Sequence, residues 1–400
     1  MVAASGRRRL RHRFLSDRFR VDPVRHYLDH ASTSPTRPEA IKAMVDWMSS
    51  PLASDPARIH TEGHAARVAV EDARDAVAGL LGARNREVVF TSGATEAITA
   101  ATWGAAERGH HMVVSVVEHS AVRFAAAAHA QITWVGCDAT GRVPVDRVRE
   151  AIDAGTALVH VQWGNHEVGT MQPVAEIVEV CHERGVLLHV DAAQAAGHVP
   201  MAFDDLGIDL LSVGAHKLGR PPGVGPLLVR RGLRIRPLLL GGDQERARRA
   251  GFENVPAIVG WGAAATALTT GLEREEQEAR RLTQRLIDSA VEIPGVTFYG
   301  NRDARLPHIV CLGIAGVEPQ AVLLGLDQAG IAVHSGSSCA SEAIEPSPVL
   351  AAMGVDAERS LRISVGWSST DDDVDAVLAA LPVVLERLRR LGHSPGQSPQ

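Results

Sequence analysis

Lysine is almost missing from this chain of 400 residues: only Lys42 and Lys217 are lysines among 41 basic residues, the rest being arginine. So few lysines make position 217 a candidate for chemistry that a guanidinium would not perform. Cysteine is also sparse. Cys137, Cys181, Cys311 and Cys339 lie far apart with no C-x-x-C pair, which excludes a disulfide framework and matches reduced, intracellular usage. No run approaches the roughly 18 apolar residues of a membrane-spanning helix, so no membrane association is expected. The formal net charge of -6 lacks the basic excess of a general nucleic-acid binder, so no nucleic-acid partner is expected. No apolar stretch follows the basic N-terminal residues as in a secretory signal, and a cytoplasmic location is the expectation.

The length suffices for two domains, since single cores seldom grow past about 250–300 residues. Residues 1–21 form an Arg-rich arm that reads as disordered or as a transit segment; the chain-wide preference for arginine favours the first reading. From about residue 22, β-branched runs alternate with Ala/Arg/Glu-rich segments. Strands are predicted at 86–90, 110–117, 132–136, 157–163, 186–192 and 209–215, with helical patterns between most of them. Such alternation implies an α/β domain on a mainly parallel sheet. A charged amphipathic helix is predicted over 270–293. Beyond it the pattern loosens to α+β, so the boundaries expected are a large domain at 22–270, a smaller one at 271–392 and a polar, disordered tail at 393–400.

Three motifs carry chemistry. In "FTSGATEA" (90–97) small residues open a helix, leaving backbone N–H groups and the helix dipole for a phosphate. In "HVDAAQAAG" (189–197) a strand ends in a carboxylate, where ligands bind at the C-terminal edge of a parallel sheet. In "SVGAHKLGR" (212–220) stands the scarce lysine. A phosphate cradle, a carboxylate for a pyridine nitrogen and an amine able to condense with an aldehyde are the requirements of pyridoxal 5'-phosphate. Arginine cannot replace that amine, because its guanidinium stays protonated.

These motifs, together with "YLDHASTSP" (27–35), "EHSAV" (118–122), "NHEVGTMQPV" (165–174), "GGDQERARRAG" (241–251), "HSGSSCAS" (334–341) and "LRISVG" (361–366), resemble the cysteine desulfurases of the class V aminotransferase group. The resemblance implies the fold type I architecture: a large domain with a mainly parallel seven-stranded sheet and a small α+β domain. It makes Lys217 the Schiff-base lysine, Asp191 the partner of the pyridinium nitrogen, Gln194 a donor to the phenolic oxygen and His119 a ring that stacks on the cofactor and relays protons. Ala94, Thr95 and His216 would hold the phosphate, with His166 a further cofactor contact. Arg362 would clamp the substrate carboxylate, aided by Asn165. Cys339, set among Ser and Gly in a loop, would take the substrate's sulfur as a persulfide. No metal is implied.

The activity implied is conversion of L-cysteine to L-alanine by a homodimer that hands sulfur to an acceptor protein: an iron-sulfur scaffold, a tRNA-thiolation protein or a sulfur carrier. The alternatives are another class V activity, such as a selenocysteine lyase, an aminotransferase or a β-lyase, and a weakly active binding partner. The chain departs from the family pattern at three expected cofactor contacts: Gly214 replaces a serine, His166 an asparagine and Phe252 a threonine. Gly214 and Phe252 motivate the last alternative.

Overall fold

The computed structural model describes residues 25–335 and 346–392. The basic arm 1–21, the tail 393–400 and Cys339 lie outside the described residues.

Seven strands build the main sheet: β1 (Val88–Thr91), β2 (His111–Ser115), β3 (Gln131–Val135), β4 (Thr156–Gln162), β5 (Leu187–Asp191), β6 (Leu210–Ser212) and β7 (Gly225–Val229). Their order is β1-β7-β6-β5-β4-β2-β3. β7 runs antiparallel to both neighbours, and all other pairs are parallel. Strands covered by helices on both faces must be apolar throughout. β4, "TALVHVQ", is buried at every position. The expected strands are all present, within about two residues at most ends. β7 had no sequence prediction, because "GPLLV" is short and sits among Gly and Pro.

A second sheet of three antiparallel strands, β8 (Val296–Tyr299), β9 (Ile309–Ile314) and β10 (Ser360–Ser364), has its own core of residues such as Leu282, Leu312, Ile363 and Leu381. The charged helix expected from 270 begins earlier, as part of a single helix Val255–Ala290 of 36 residues. Its first half, "VPAIVGWGAAATALTT", is buried on several sides and shows no stripe of period 3.6, so periodicity could not find it. Asn254 caps its start by accepting from the Ala257 N–H. Val255 to Leu268 pack in the large core and Ala279 to Ala290 in the small one, so the helix joins the two. Contrary to the expectation that no run approaches such a length, one window of it is long and apolar enough to cross a bilayer, with 56% of that window buried inside the protein.

The start of the described chain crosses between cores. His26–Tyr27 pairs in parallel with Ile331–Ala332, Leu28 packs in the small core, and Ala31 reaches the large one. Residues 29–32 thereby run along the seam where the site lies.

Candidate active site

Strand ends and helix starts converge on one cavity of about 280 Å³. Ala94, Thr95, His119, His166, Asp191, Gln194, His216, Lys217 and Arg362 all line it. Asn165 does not, which corrects its expected substrate role. Its side chain is fully buried and committed to the turn: Oδ1 accepts from the N–H groups of Glu167 and Val168, and Nδ2 donates to the Val117 carbonyl. In a tight turn only one of two neighbours faces the cavity, and here it is His166.

The phosphate end is built on the helix Ala94–Ala105. Gly93 precedes it at φ 153° with no side-chain cap, so the first-turn N–H groups stay available to an anion. A Cβ on Gly214 would lie 3.5 Å from His216 and 3.6 Å from Ala94, ordinary contact distances. A serine would therefore fit there. The glycine is no demand of the backbone, and the hydroxyl is simply absent.

Asp191 ends β5, almost buried, with Oδ1 accepting from the Ala193 N–H at 2.9 Å. Lys217 follows β6 in a single short turn, 216–218, that Gly219 ends at φ +71°. Burial pushes the Lys217 ammonium down to about 8; the Arg362 charge adds to this and Asp191 opposes it. An amine so placed exchanges protons near neutral pH. Burial similarly holds His216 at about 4, with the Lys217 charge adding to the effect.

His119 caps the helix Ser120–His129, its Nδ1 accepting from the Ala121 N–H at 3.1 Å. Burial, His166 and Lys217 together hold it at about 3. His166 meets it edge to face, with ring centroids 5.1 Å apart. Nδ1 of His166 lies 3.4 Å from Gln162 Oε1, and Nε2 lies 3.5 Å from Glu167 Oε1. Burial drives both members of that pair toward neutrality, His166 to about 3 and Glu167 up to about 7.

Arg362, on β10 opposite Cys311 of β9, is held on two sides. Nη1 donates to the His166 carbonyl at 2.8 Å, while Nη2 donates to Ser32 Oγ at 2.7 Å and Asp29 Oδ1 at 3.1 Å. Asp29 and Ser32 had no sequence assignment beyond their place in "YLDHASTSP". The only signal was an acid and a hydroxyl three residues apart, a pattern common in turns. His334, also unassigned, lines the cavity just before the segment that holds Cys339.

One enclosed site thus offers an amine of lowered basicity, a strand-end carboxylate, a ring that can stack and an anion cradle. That donor set fits pyridoxal phosphate: Lys217 for the aldehyde, Asp191 for the ring nitrogen, Ala94, Thr95 and His216 for the phosphate.

Comparison with known proteins agrees. The aminotransferase class-V family pattern matches residues 26–377. The cysteine desulfurase IscS of Methanosarcina thermophila is 39% identical over 376 residues, covering 91% of this chain and 93% of that one. The IscS-like cysteine desulfurase of Mycobacterium tuberculosis is 41% identical over 383 residues, covering 91% and 97%. Among solved structures, a NifS-like protein superposes with a TM-score of 0.84 at 30% identity, over 91% of this chain and all of that one. An SspA structure in complex with cysteine gives 0.74 at 31% identity, over 85% and 98%. Enzymes of this family depend on pyridoxal 5'-phosphate. Likeness of this extent, on a cavity whose donors suit the same cofactor, means that the chain belongs to the aminotransferase class-V family, among the cysteine desulfurases.

Proposed function

We propose that this protein converts L-cysteine to L-alanine and passes the sulfur through Cys339 to an acceptor protein. The observation that carries the reading is the meeting of Lys217, Asp191, Gln194, His119 and Arg362 in one cavity, although they are distant in sequence. Bound pyridoxal phosphate supplies an electron sink for negative charge developing on the substrate carbons. Asp191 keeps its pyridine nitrogen protonated. Arg362, its position fixed by Asp29, Ser32 and the His166 carbonyl, binds the substrate carboxylate. Lys217, with its ammonium at about 8, takes and returns protons within the cavity. His119 presents Nε2–H, because its Nδ1 lone pair is used by the helix cap.

In the sulfur step the Cys339 thiolate attacks the substrate's sulfur. The S–S bond forms and the substrate C–S bond breaks, its electron pair staying with the β-carbon, which takes a proton. Alanine and a Cys339 persulfide result, with atoms and electrons balanced. The flank of the Cys339 segment supports this role, since His334 lines the cavity.

A homodimer in the cytoplasm is part of this reading. Ile41, Val45 and Met48 expose an apolar helix face, and Leu240 and Phe252 are 75% and 66% exposed. Apolar surface of this kind suits burial by a second copy. The acceptor is proposed to be an iron-sulfur scaffold, a tRNA-thiolation protein or a sulfur carrier.

The test is to add L-cysteine and measure alanine and protein persulfide in wild type and in Cys339→Ser. Wild type should yield both, and the variant neither, while the cofactor's visible absorbance persists. Turnover surviving Cys339→Ser would point to another class V activity. Failure to take up pyridoxal phosphate, with Lys217→Ala behaving as wild type, would point to a non-catalytic partner.

A further inference from the structure

Two histidines from different parts of the chain stack beneath Gln194. The rings of His198 and His308 have centroids 3.6 Å apart and planes within 15°. Neither lines the cofactor cavity. Both line a separate cavity of about 500 Å³, together with Glu275, Trp367 and Ser369.

Donor and acceptor chemistry settles the orientation of this cluster. Gln194 Nε2 donates to the Ala31 carbonyl at 2.9 Å, so the amide cannot be turned the other way. Its Oε1 then faces His308 Nε2 at 3.3 Å, and that nitrogen must carry the proton. Nδ1 of His308 is left unprotonated, buried and without a partner among the described residues. His198 packs face to face on the His308 ring and so backs it. Nε2 of His198 is likewise buried and without a hydrogen-bond partner among the described residues. Burial keeps both rings neutral: His198 is held at about 3, and His308 well below its ordinary value.

We infer that the stacked pair His198 and His308 is a positioning device for the cofactor site. His308 fixes the Gln194 amide so that its one uncommitted N–H points to the cofactor's phenolic oxygen, and His198, stacked on His308, holds that ring in place. Without His308 the buried Oε1 loses its donor, and the amide is free to rotate away from the cofactor. The inference rests on the pyridoxal phosphate reading of the cavity, and on no claim about sulfur.

The test compares wild type, Gln194→Leu, His308→Met and His308→Gln as holoenzymes, each checked for cooperative unfolding. The readouts are the pH midpoint of the cofactor's visible absorbance and the dissociation constant of pyridoxal phosphate. A donor to the phenolic oxygen favours the deprotonated chromophore, so Gln194→Leu and His308→Met should both raise the midpoint, by about half a unit or more. The double variant should add little to either change. His308→Gln, whose amide reaches the place of Nε2, should restore the wild-type midpoint. His308→Asn, whose amide falls short of Gln194, provides the same test should the Met variant not fold. A shift in Gln194→Leu without one in His308→Met overturns the inference, as does simple addition of the two. If neither variant moves the midpoint, Gln194 is no cofactor contact and the device has nothing to position. Production of alanine and persulfide would stand or fall separately.

Discussion

The Ala121 backbone N–H donates to Nδ1 of His119, across 3.1 Å. A backbone amide can only donate, so Nδ1 is the bare nitrogen and the neutral ring carries its proton on Nε2. In the proposed reaction this tautomer makes His119 a hydrogen-bond donor and leaves Lys217 as the base. Nitrogen NMR of the histidine rings should show this one tautomer, and no titration of His119, from about pH 5 to pH 8. A ring that titrates near 6.5 would refute the assignment.

Lys217 is buried, with its ammonium lowered to about 8. Lys217→Arg keeps the charge but removes an amine that can deprotonate. Turnover should fall by about 10²–10⁴-fold or more. Borohydride treatment followed by mass spectrometry should then find no cofactor attached to the protein, whereas wild type is labelled at Lys217.

At Gly214 the space for a side chain is open, with 3.5 Å to the nearest heavy atom. Gly214→Ser places a hydroxyl beside the helix start and His216. One added hydrogen bond of about 1 kcal/mol should tighten pyridoxal phosphate binding roughly five-fold, measured by equilibrium dialysis. Unchanged affinity would mean that compensating donors already saturate the phosphate.

Arg220 is 1% exposed, and none of its three nitrogens has a hydrogen-bond partner among the described residues. Its guanidinium lies over the Trp261 ring at 5.1 Å, and Arg37 is close enough to repel it. Glu275 attracts it, but a buried charge with no hydrogen-bond partner costs more than that attraction and the ring return. Arg220→Met should raise stability by about 1–4 kcal/mol in urea unfolding. A loss of stability would show that the arginine is paired in solution.

Acid should weaken the fold through its buried histidines. His160, on β4, lies with Nδ1 3.0 Å from Nδ1 of His189, and burial holds it at about 3 against about 6.5 unfolded. Below 6.5 the unfolded chain takes up a proton that the folded one refuses, so stability falls as pH drops from about 6.5 toward 3. At pH 5 this single group should cost about 2 kcal/mol relative to pH 7.5. Urea midpoints at the two pH values, compared with those of His160→Gln, should show the slope flattened in the variant.

Much of the architecture was legible in sequence, for a physical reason. Strands buried on both faces must be apolar along their whole length, and β4 and β5 announce themselves accordingly. The helix start at Val255 was hidden by the same burial, which leaves no polar face to mark a period. At the site, chemistry that only one residue type can perform was readable: an amine at 217, a carboxylate at 191. Roles filled by geometry were not. Asn165 and His166 are neighbours with equally polar side chains, and the turn alone decides that the first braces the backbone while the second faces the cavity.

By itself the sequence determined the cofactor chemistry, since a helix-start anion cradle, a strand-end carboxylate and a scarce lysine follow one another as pyridoxal phosphate requires. Rarity alone would equally have picked the exposed Lys42. It determined the α/β fold as well, through the alternation of apolar runs. Only the tertiary structure decided which nitrogen of His119 holds its proton, which residues hold Arg362, and that His198 and His308 stack beneath Gln194. The first depends on how the chain turns into a helix at residues 119–121, and the others on distances between residues more than a hundred positions apart, neither of which composition or spacing along the chain sets.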